Sequence, residues 1–154
     1  MKLTIERTAL QKTLAHVQSV VERRTTIPIL SNVMIEGGEG GLSLTATDMD
    51  IAIVEKVPAD VAAPGATTLP AHTLYDIVRK LPEGSQISFE GDEDDGRMKI
   101  STGRSRFSLS CLGTDEFPVM TDGDLPHSFT LSAALCQNLI DRTRFAMSSE
   151  ETRY

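Results

Sequence analysis

The side chains that most often carry out catalysis are scattered through this sequence of 154 residues. His16, His72 and His127 lie far apart along the chain, and no Ser/His/Asp or Cys/His grouping is visible. Cys111 and Cys136 stand alone, without the paired spacing of a metal site or a redox pair. We therefore expect neither a catalytic centre nor a bound metal or cofactor, and the isolated cysteines suit a reducing cytoplasm.

Two acidic stretches could still hold a cation. Asp48 and Asp50 form a D-x-D pair, which could bind a metal or could stabilise a turn by bonding nearby backbone N–H groups. Residues 91–96 form an acidic turn that lacks the ligand spacing of a calcium-binding loop. We favour turn chemistry for the pair and a solvated hairpin tip for the second stretch.

The basic residues are distributed very unevenly. The predicted helical stretches 7–24, 72–81 and 133–144 carry a net charge of +5, whereas the rest of the chain carries −12, for a total of −7. A local positive face persists beside distant negative charge because salt screens electrostatic interactions over about 8 Å. The helices therefore offer a basic surface on an acidic protein.

A short module positions these helices, and it occurs three times. A strand end with a central threonine precedes each helix, at steps of 64 and 62 residues, and an apolar residue returns ten positions after each threonine. A period of this length indicates a fold built by repetition. The three copies begin with Leu3-Thr4-Ile5, Thr67-Thr68-Leu69 and Phe129-Thr130-Leu131, and their later apolar residues are Leu14, Val78 and Ile140.

Alternating strands follow each of the first two helices, so that two βαβββ repeats make one α+β domain. We expect a curved antiparallel sheet on one side of this domain and two helices on the other. Residues 29–36 should form a strand, and the Pro/Ala/Gly-rich residues 58–66 should link the repeats. We place the first domain at residues 1–125 and the truncated start of a second at 126–154, and we expect a longer parent protein. No apolar run is long enough to span a membrane.

The repeated basic helices favour contact with the phosphates of duplex DNA without sequence preference. The helix faces offer neither aromatic side chains for stacking single-stranded bases nor a polar cluster for reading a groove. The alternative is a non-catalytic, repeat-built module for protein interaction or ligand binding, in which the basic helices are incidental.

Several motifs resemble the bacterial sliding clamp, the beta subunit of DNA polymerase III, and they occur in the same order as in that family. The most specific is GRSRFSLS at residues 103–110. The others are MKLTI at 1–5, RTTIPILSN at 24–32, TDMD at 47–50, LPEG at 81–84 and FP at 117–118.

The resemblance implies the DNA-clamp fold, in which helices line a ring and sheets form its outer wall. The full chain would have three similar domains and would pair head to tail as a homodimer around duplex DNA. Such a ring would tether the replicative polymerase, and it would bind polymerase and clamp loader through their short peptide motifs. It would be a processivity factor and not an enzyme.

The resemblance also assigns roles to single residues. Arg24 corresponds to a loop position that contacts DNA, as do Ser149 and Glu150 in a second loop. Lys12, Arg7 and Arg79 correspond to positions that line the hole, and His72 stands there where an arginine is common. The edge strand that joins the partner would hold Arg104, Arg106, Phe107 and Leu109, and the rim of the peptide pocket would hold Arg153 and Tyr154.

Overall fold

The computed structural model describes residues 1–23, 25–92, 96–118 and 126–148. The chain divides into two compact units, Met1–Met120 and Thr121–Tyr154. The predicted domain boundary after residue 125 lies at the end of a stretch, 119–125, that is outside the described residues. None of the described helices is long and apolar enough to cross a membrane.

The first unit follows the predicted order of two βαβββ repeats with one additional strand. The first repeat comprises β1 (Lys2–Glu6), α1 (Arg7–Val17), β2 (Asn32–Gly38), β3 (Gly41–Thr47) and β4 (Ala52–Val57). The additional strand is β5 (Asp60–Ala63). The second repeat comprises β6 (Gly65–Pro70), α2 (Ala71–Lys80), β7 (Gln86–Asp92), β8 (Arg97–Thr102) and β9 (Ser105–Ser110).

The strands form two antiparallel sheets rather than the single curved sheet that was predicted. One sheet has the order β5-β1-β7-β8-β9 and the other has the order β4-β3-β2-β6. Strand β1 of the first repeat therefore pairs with β7 of the second, and β6 of the second pairs with β2 of the first. Each sheet is completed by a strand from the other repeat, so neither repeat is a separate folding unit.

The predicted linker 58–66 is also wrong, because it contains β5 and the start of β6. Strand β5 pairs with β1, with Leu3 opposite Val61 and Thr4 opposite Asp60. The chain thus passes from the edge of one sheet directly to the edge of the other. A composition rich in Pro, Ala and Gly resembles a linker, but the strand forms because β1 offers it an unpaired edge.

Aliphatic side chains fill the space between the helices and the sheets. Leu14 and Val78, the equivalent residues of the two repeats, are both completely buried. The neighbouring stripe positions are also buried in both helices: Leu10 and Val17 in α1, and Leu74 and Leu81 at and just after α2. The helical periodicity read from the sequence is confirmed at these positions.

Helix α1 is shorter than the predicted stretch 7–24. It ends at Val17, and Gln18 caps it through N–H bonds to the carbonyls of His16 and Leu14. The Ser19 hydroxyl then donates to the His16 carbonyl at 2.7 Å, a local bond that competes with continued helix. A short 3-10 helix, Pro28–Ser31, replaces the start of the strand predicted from residue 29.

The second unit contains α3 (Ala133–Thr143) and a 3-10 turn, Arg144–Ala146. Ser132 caps α3 by accepting a bond from the Leu135 N–H. The predicted strand at residues 129–131 is not formed, and no described side chain of this unit is buried. The apolar side of α3, with Leu135, Leu139 and Ile140, is exposed.

Candidate nucleic-acid interface

Helices α1 and α2 lie side by side in opposite directions. The contacts show this orientation, since the start of each helix meets the end of the other or the segment just after it. At one junction, the Arg7 guanidinium donates from Nε to the Val78 carbonyl at 3.1 Å and from Nη2 to the Arg79 carbonyl at 2.7 Å. Arg7 is 7% exposed. Its guanidinium therefore binds the carbonyls at the end of α2 and does not face solvent.

This position corrects the prediction that Arg7 lines a DNA-facing surface. The resemblance assigned Arg7 to the lining of the hole, although Arg7 lies three residues before Leu10 on the buried stripe of α1. The helical periodicity was the available signal. A buried guanidinium is tolerable here because the carbonyls at the end of α2 accept its protons.

The other junction is made by His72, near the start of α2. Its Nε2–H donates to the Val21 carbonyl, with 2.9 Å between the two atoms, and its Nδ1 lies 2.7 Å from Gln18 Oε1. The ring is half-buried and both of its nitrogens have partners. The structure therefore gives His72 a role in joining α2 to the segment after α1 and does not place it on an open helix face.

Among the described residues, four cations are exposed on this helical layer: Lys12, Arg23, Arg79 and Lys80. Lys12 lies in the middle of α1, and Arg23 lies in the segment that follows it. Arg79 and Lys80 are the last two residues of α2. Arg24, the residue with the strongest predicted role, is outside the described residues.

Nearby acids and aromatic rings modify this basic surface. Arg79 Nε lies 2.9 Å from Asp76 Oδ1, and its guanidinium lies 5.9 Å from the centre of the Tyr75 ring. His16 on α1 pairs with Glu55 on β4. The carboxylates of Asp76 and Glu55 reduce the net positive charge of this surface. Because Arg79 and Asp76 are both about half exposed, solvent weakens their ion pair.

The first turn of α1 is fixed by Glu6. Its carboxylate accepts the Ala9 N–H at 2.8 Å and caps the helix. Hydrogen bonds from the backbone N–H groups of Thr8 and Ala9 lower the pKa of Glu6 below its ordinary value. The start of the helix that carries Lys12 is thus held by a carboxylate that stays ionised at neutral pH.

Strand β9 is the outermost strand of its sheet, as predicted. Arg104 was predicted in this strand but lies in the turn before it, and both Arg104 and Arg106 are exposed. Phe107 and Leu109 pack against the core but are only partly buried. Arg106 donates from Nη1 to the carbonyls of Gly103 and Ser105. An open groove of about 370 Å³ runs between α2 and β9. Its lining includes Ile77, Leu81 and Phe107.

In the acidic pair at the β3–β4 turn, the Asp48 side chain accepts hydrogen bonds from the backbone of the turn. Asp48 Oδ1 accepts the N–H groups of Asp50 at 3.0 Å and Ile51 at 2.8 Å. Met49 adopts a φ of +84° inside this turn. The hydrogen bonds from the backbone to the Asp48 carboxylate stabilise this conformation. Within the described parts of the chain, no cluster of three or more His, Cys, Asp or Glu side chains could hold a metal ion.

The family model of the DNA polymerase III beta subunit, N-terminal domain, matches residues 1–121. The chain belongs to this family. The beta sliding clamp of Caulobacter vibrioides is 53% identical over 154 residues, which are the whole of this chain and 41% of that protein. The beta sliding clamp of Escherichia coli K12 is 41% identical and is covered over 42% of its length.

Solved structures agree with the sequence relatives. The DNA polymerase sliding clamp from Caulobacter crescentus superimposes with a TM-score of 0.92 at 52% identity, over the whole of this chain and 42% of that one. These comparisons confirm the predicted family and its α+β fold. The chain spans about two fifths of the length of the curated relatives that it matches.

Four predicted site residues lie outside the described residues: Ser149 and Glu150 of the predicted second loop, and Arg153 and Tyr154 of the predicted pocket rim. Their assignments, like that of Arg24, stay predictions.

Proposed function

We propose that residues 1–125 form the first domain of a DNA sliding clamp and that residues 126–154 open its second domain. The clamp encircles duplex DNA in the cytoplasm and tethers the replicative polymerase without chemistry of its own. The observation that carries this proposal is the pair of antiparallel helices whose exposed cations lie on a protein of net charge −7, in a chain of this family. Family membership gives no support to the alternative of a ligand-binding module.

The composition of the helical layer suits movement along DNA. Contacts of lysine and arginine with phosphates position a protein on the duplex without reading the bases. The ion pair between Asp76 and Arg79 limits the charge available to each phosphate. Weak, sequence-independent contacts from Lys12, Arg23, Arg24, Arg79 and Lys80 let a ring slide while its closure prevents release.

Ring closure would use the exposed edge of β9. An unpaired edge strand has free backbone groups that a strand of a second copy can pair with. The groove beside β9 would receive apolar side chains, and Arg104 and Arg106 would meet acids. Polymerase and clamp loader would bind through short peptide motifs, for which Arg153 and Tyr154 would form part of the pocket rim.

Retention on DNA tests the clamp. The full-length protein, loaded on circular duplex DNA, should remain bound and should slip off when the circle is cut. Equal loss from intact and cut circles would refute encirclement.

Salt dependence tests the DNA-facing surface. Replacing Lys12, Arg23 and Arg79 together with glutamine should lower the slope of log K against log salt by roughly 0.9 for each lost phosphate contact. The matched control removes three cations from the sheets, Lys2, Lys56 and Arg97, which are also exposed. Similar slopes for both triple variants would show that DNA does not use the helical layer.

Charge reversal tests the β9 edge. The double change Arg104→Glu and Arg106→Glu should convert the dimer of the full-length protein to monomers, measured by light scattering. Lys56→Glu, an exposed position on strand β4 of the other sheet, is the control and should leave the dimer intact. A dimer that survives the double reversal would exclude these residues from the interface.

A further inference from the structure

We propose that Arg7 and His72 are positioning residues for DNA binding, each holding the DNA-contacting cations of the opposite repeat. Arg7, in the first repeat, fixes the end of α2 that carries Arg79 and Lys80. His72, in the second repeat, fixes the segment that carries Arg23 and Arg24. This inference rests on the proposed function, because it concerns how the same basic surface is held in place.

Arg7 acts where α2 has backbone groups to satisfy. The last carbonyls of a helix lack the N–H partners of a following turn. The chain leaves α2 at Leu81-Pro82, where the Leu81 N–H bonds the Val78 carbonyl at 3.2 Å. The planar guanidinium joins two successive carbonyls, those of Val78 and Arg79, from a buried position. A positive charge at this end also interacts favourably with the helix dipole. The turn that carries Arg79 and Lys80 is therefore held at two points by one rigid group.

His72 acts where the chain lacks regular structure. The segment after α1 has only turn-type backbone bonds, including Val20 N–H to Val17 and Val21 N–H to Gln18. The His72 ring adds a bond to the Val21 carbonyl, two residues before Arg23, and contacts the Gln18 side chain. Since the Val21 side chain is buried as well, this point is fixed on two sides. Arg23 therefore follows a point of the chain that is fixed by Val21 and His72.

The two contacts are reciprocal. Each is made by a side chain in the first turn of one helix, and each ends on the carbonyls at or beyond the end of the other helix. Weakening either contact should loosen cations that belong to the other repeat, although no charge that faces DNA is removed. A direct phosphate contact or a purely structural role would not produce this crossed dependence.

Arg7→Lys separates these possibilities because it keeps the charge but replaces the planar fork with a single ammonium group. If Arg7 touched phosphate, lysine would largely replace it. If Arg7 only stabilised the fold, DNA affinity well below the unfolding temperature would not change. A positioning role predicts duplex binding by the full-length protein that is about fivefold weaker at 0.1 M salt, close to the loss of one phosphate contact.

A double-mutant cycle gives the decisive measurement. Arg7→Lys should weaken binding in the parent protein but change it by less than about 1.5-fold when Arg79→Gln and Lys80→Gln are already present. It should keep its full effect beside Arg23→Gln and Arg24→Gln. His72→Phe should show the opposite dependence, and His72→Gln, which retains a donor, should restore part of the affinity. Thermal unfolding of each variant identifies the temperature at which all are folded.

The outcomes are distinct. If the glutamine variants at 79 and 80 leave duplex binding unchanged, the DNA-facing surface itself is refuted and the positioning role falls with it. If those variants weaken binding while Arg7→Lys and His72→Phe do not, only the positioning role is refuted. Effects that add fully in both backgrounds would mean that Arg7 and His72 act independently of these cations, which also overturns the proposal.

Discussion

The two repeats share one scaffold and differ at its ends. In the first, α1 leads into the irregular segment 18–27 that carries Arg23 and Arg24, whereas in the second, α2 ends abruptly at Leu81-Pro82. Strand β4 continues through Pro58 into β5 of the other sheet, whereas β9 remains an outer edge. The buried core is common to both, and the functional differences lie in how helix and last strand end. The first repeat extends the proposed DNA surface, and the second supplies the proposed partner edge.

The buried polar contacts show the same asymmetry. Thr68 of the second repeat is completely buried, accepts a bond from Asn32 Nδ2 at 2.9 Å and donates to the Leu112 carbonyl at 3.0 Å. Its equivalent Thr4 is only half-buried and lies 3.4 Å from the Ser88 hydroxyl. Thr68 therefore links β2 to the chain beyond β9, where the two sheets meet. Thr4, by contrast, contacts only a neighbouring strand of its own sheet through its side chain.

The equivalent core positions should give the largest effects on stability. Leu14→Ala should lower the free energy of unfolding by about 2–5 kcal/mol, and Val78→Ala, which removes fewer atoms, by about 1–3 kcal/mol. Because the repeats exchange strands, both variants should show one urea unfolding transition, seen equally by far-UV circular dichroism and by tyrosine fluorescence. Two separate transitions would show that the repeats fold independently.

The threonine pair should separate the repeats more sharply. Thr68→Val should cost about 1–3 kcal/mol because Asn32 loses its buried acceptor. Thr4→Val should change the free energy of unfolding by less than about 0.5 kcal/mol, since its partner can bond to water. Urea denaturation of both variants measures the difference. Equal costs would contradict the assignment of Thr68 to the junction of the sheets.

The helix starts should differ in their response to pH. Glu6 caps α1, whereas its equivalent Pro70 offers α2 no side-chain cap. Since folding lowers the pKa of Glu6, the ionised carboxylate adds stability at neutral pH, and this contribution is lost as the pH falls through the lowered value.

Glu6→Gln should therefore lower the unfolding temperature slightly at pH 7, and the difference from the parent should disappear in acid. Glu39→Gln, in the exposed β2–β3 turn, is the control and should have no comparable effect at either pH. A difference that grows on acidification would contradict the sign of the shift.

Local patterns in the sequence predicted most of this fold. The apolar residues that return ten positions after Thr4 and Thr68 identified two buried helix positions, Leu14 and Val78. The GRSRFSLS motif identified the strand that the structure places at an edge. The buried helix positions were predicted from the repeat in the sequence, whereas the edge strand was implied by the resemblance to the sliding-clamp family.

Three of the errors involve partners far away in sequence. Nothing near Arg7 shows that its guanidinium reaches carbonyls 71 and 72 residues later. Strand β5 forms on an edge supplied by β1, and His72 meets a segment more than fifty residues before it. From the sequence alone, a charged side chain or a linker-like segment is placed at the surface. Only the structure shows the distant residues that bury or pair it.

The exchanged strands have a consequence for the chain while it is being made. The ribosome produces β1 well before the strand beside it, because Ser88, which Thr4 meets, follows Thr4 by 84 residues. At about 5–20 residues per second, that interval lasts roughly 4–17 s. The sheet with β4, β3, β2 and β6 can close as soon as β6 has emerged, while Leu3 and Ile5 still await β7. During this interval β1 has no neighbour in β7, and its apolar side chains favour aggregation unless a chaperone or another strand covers them.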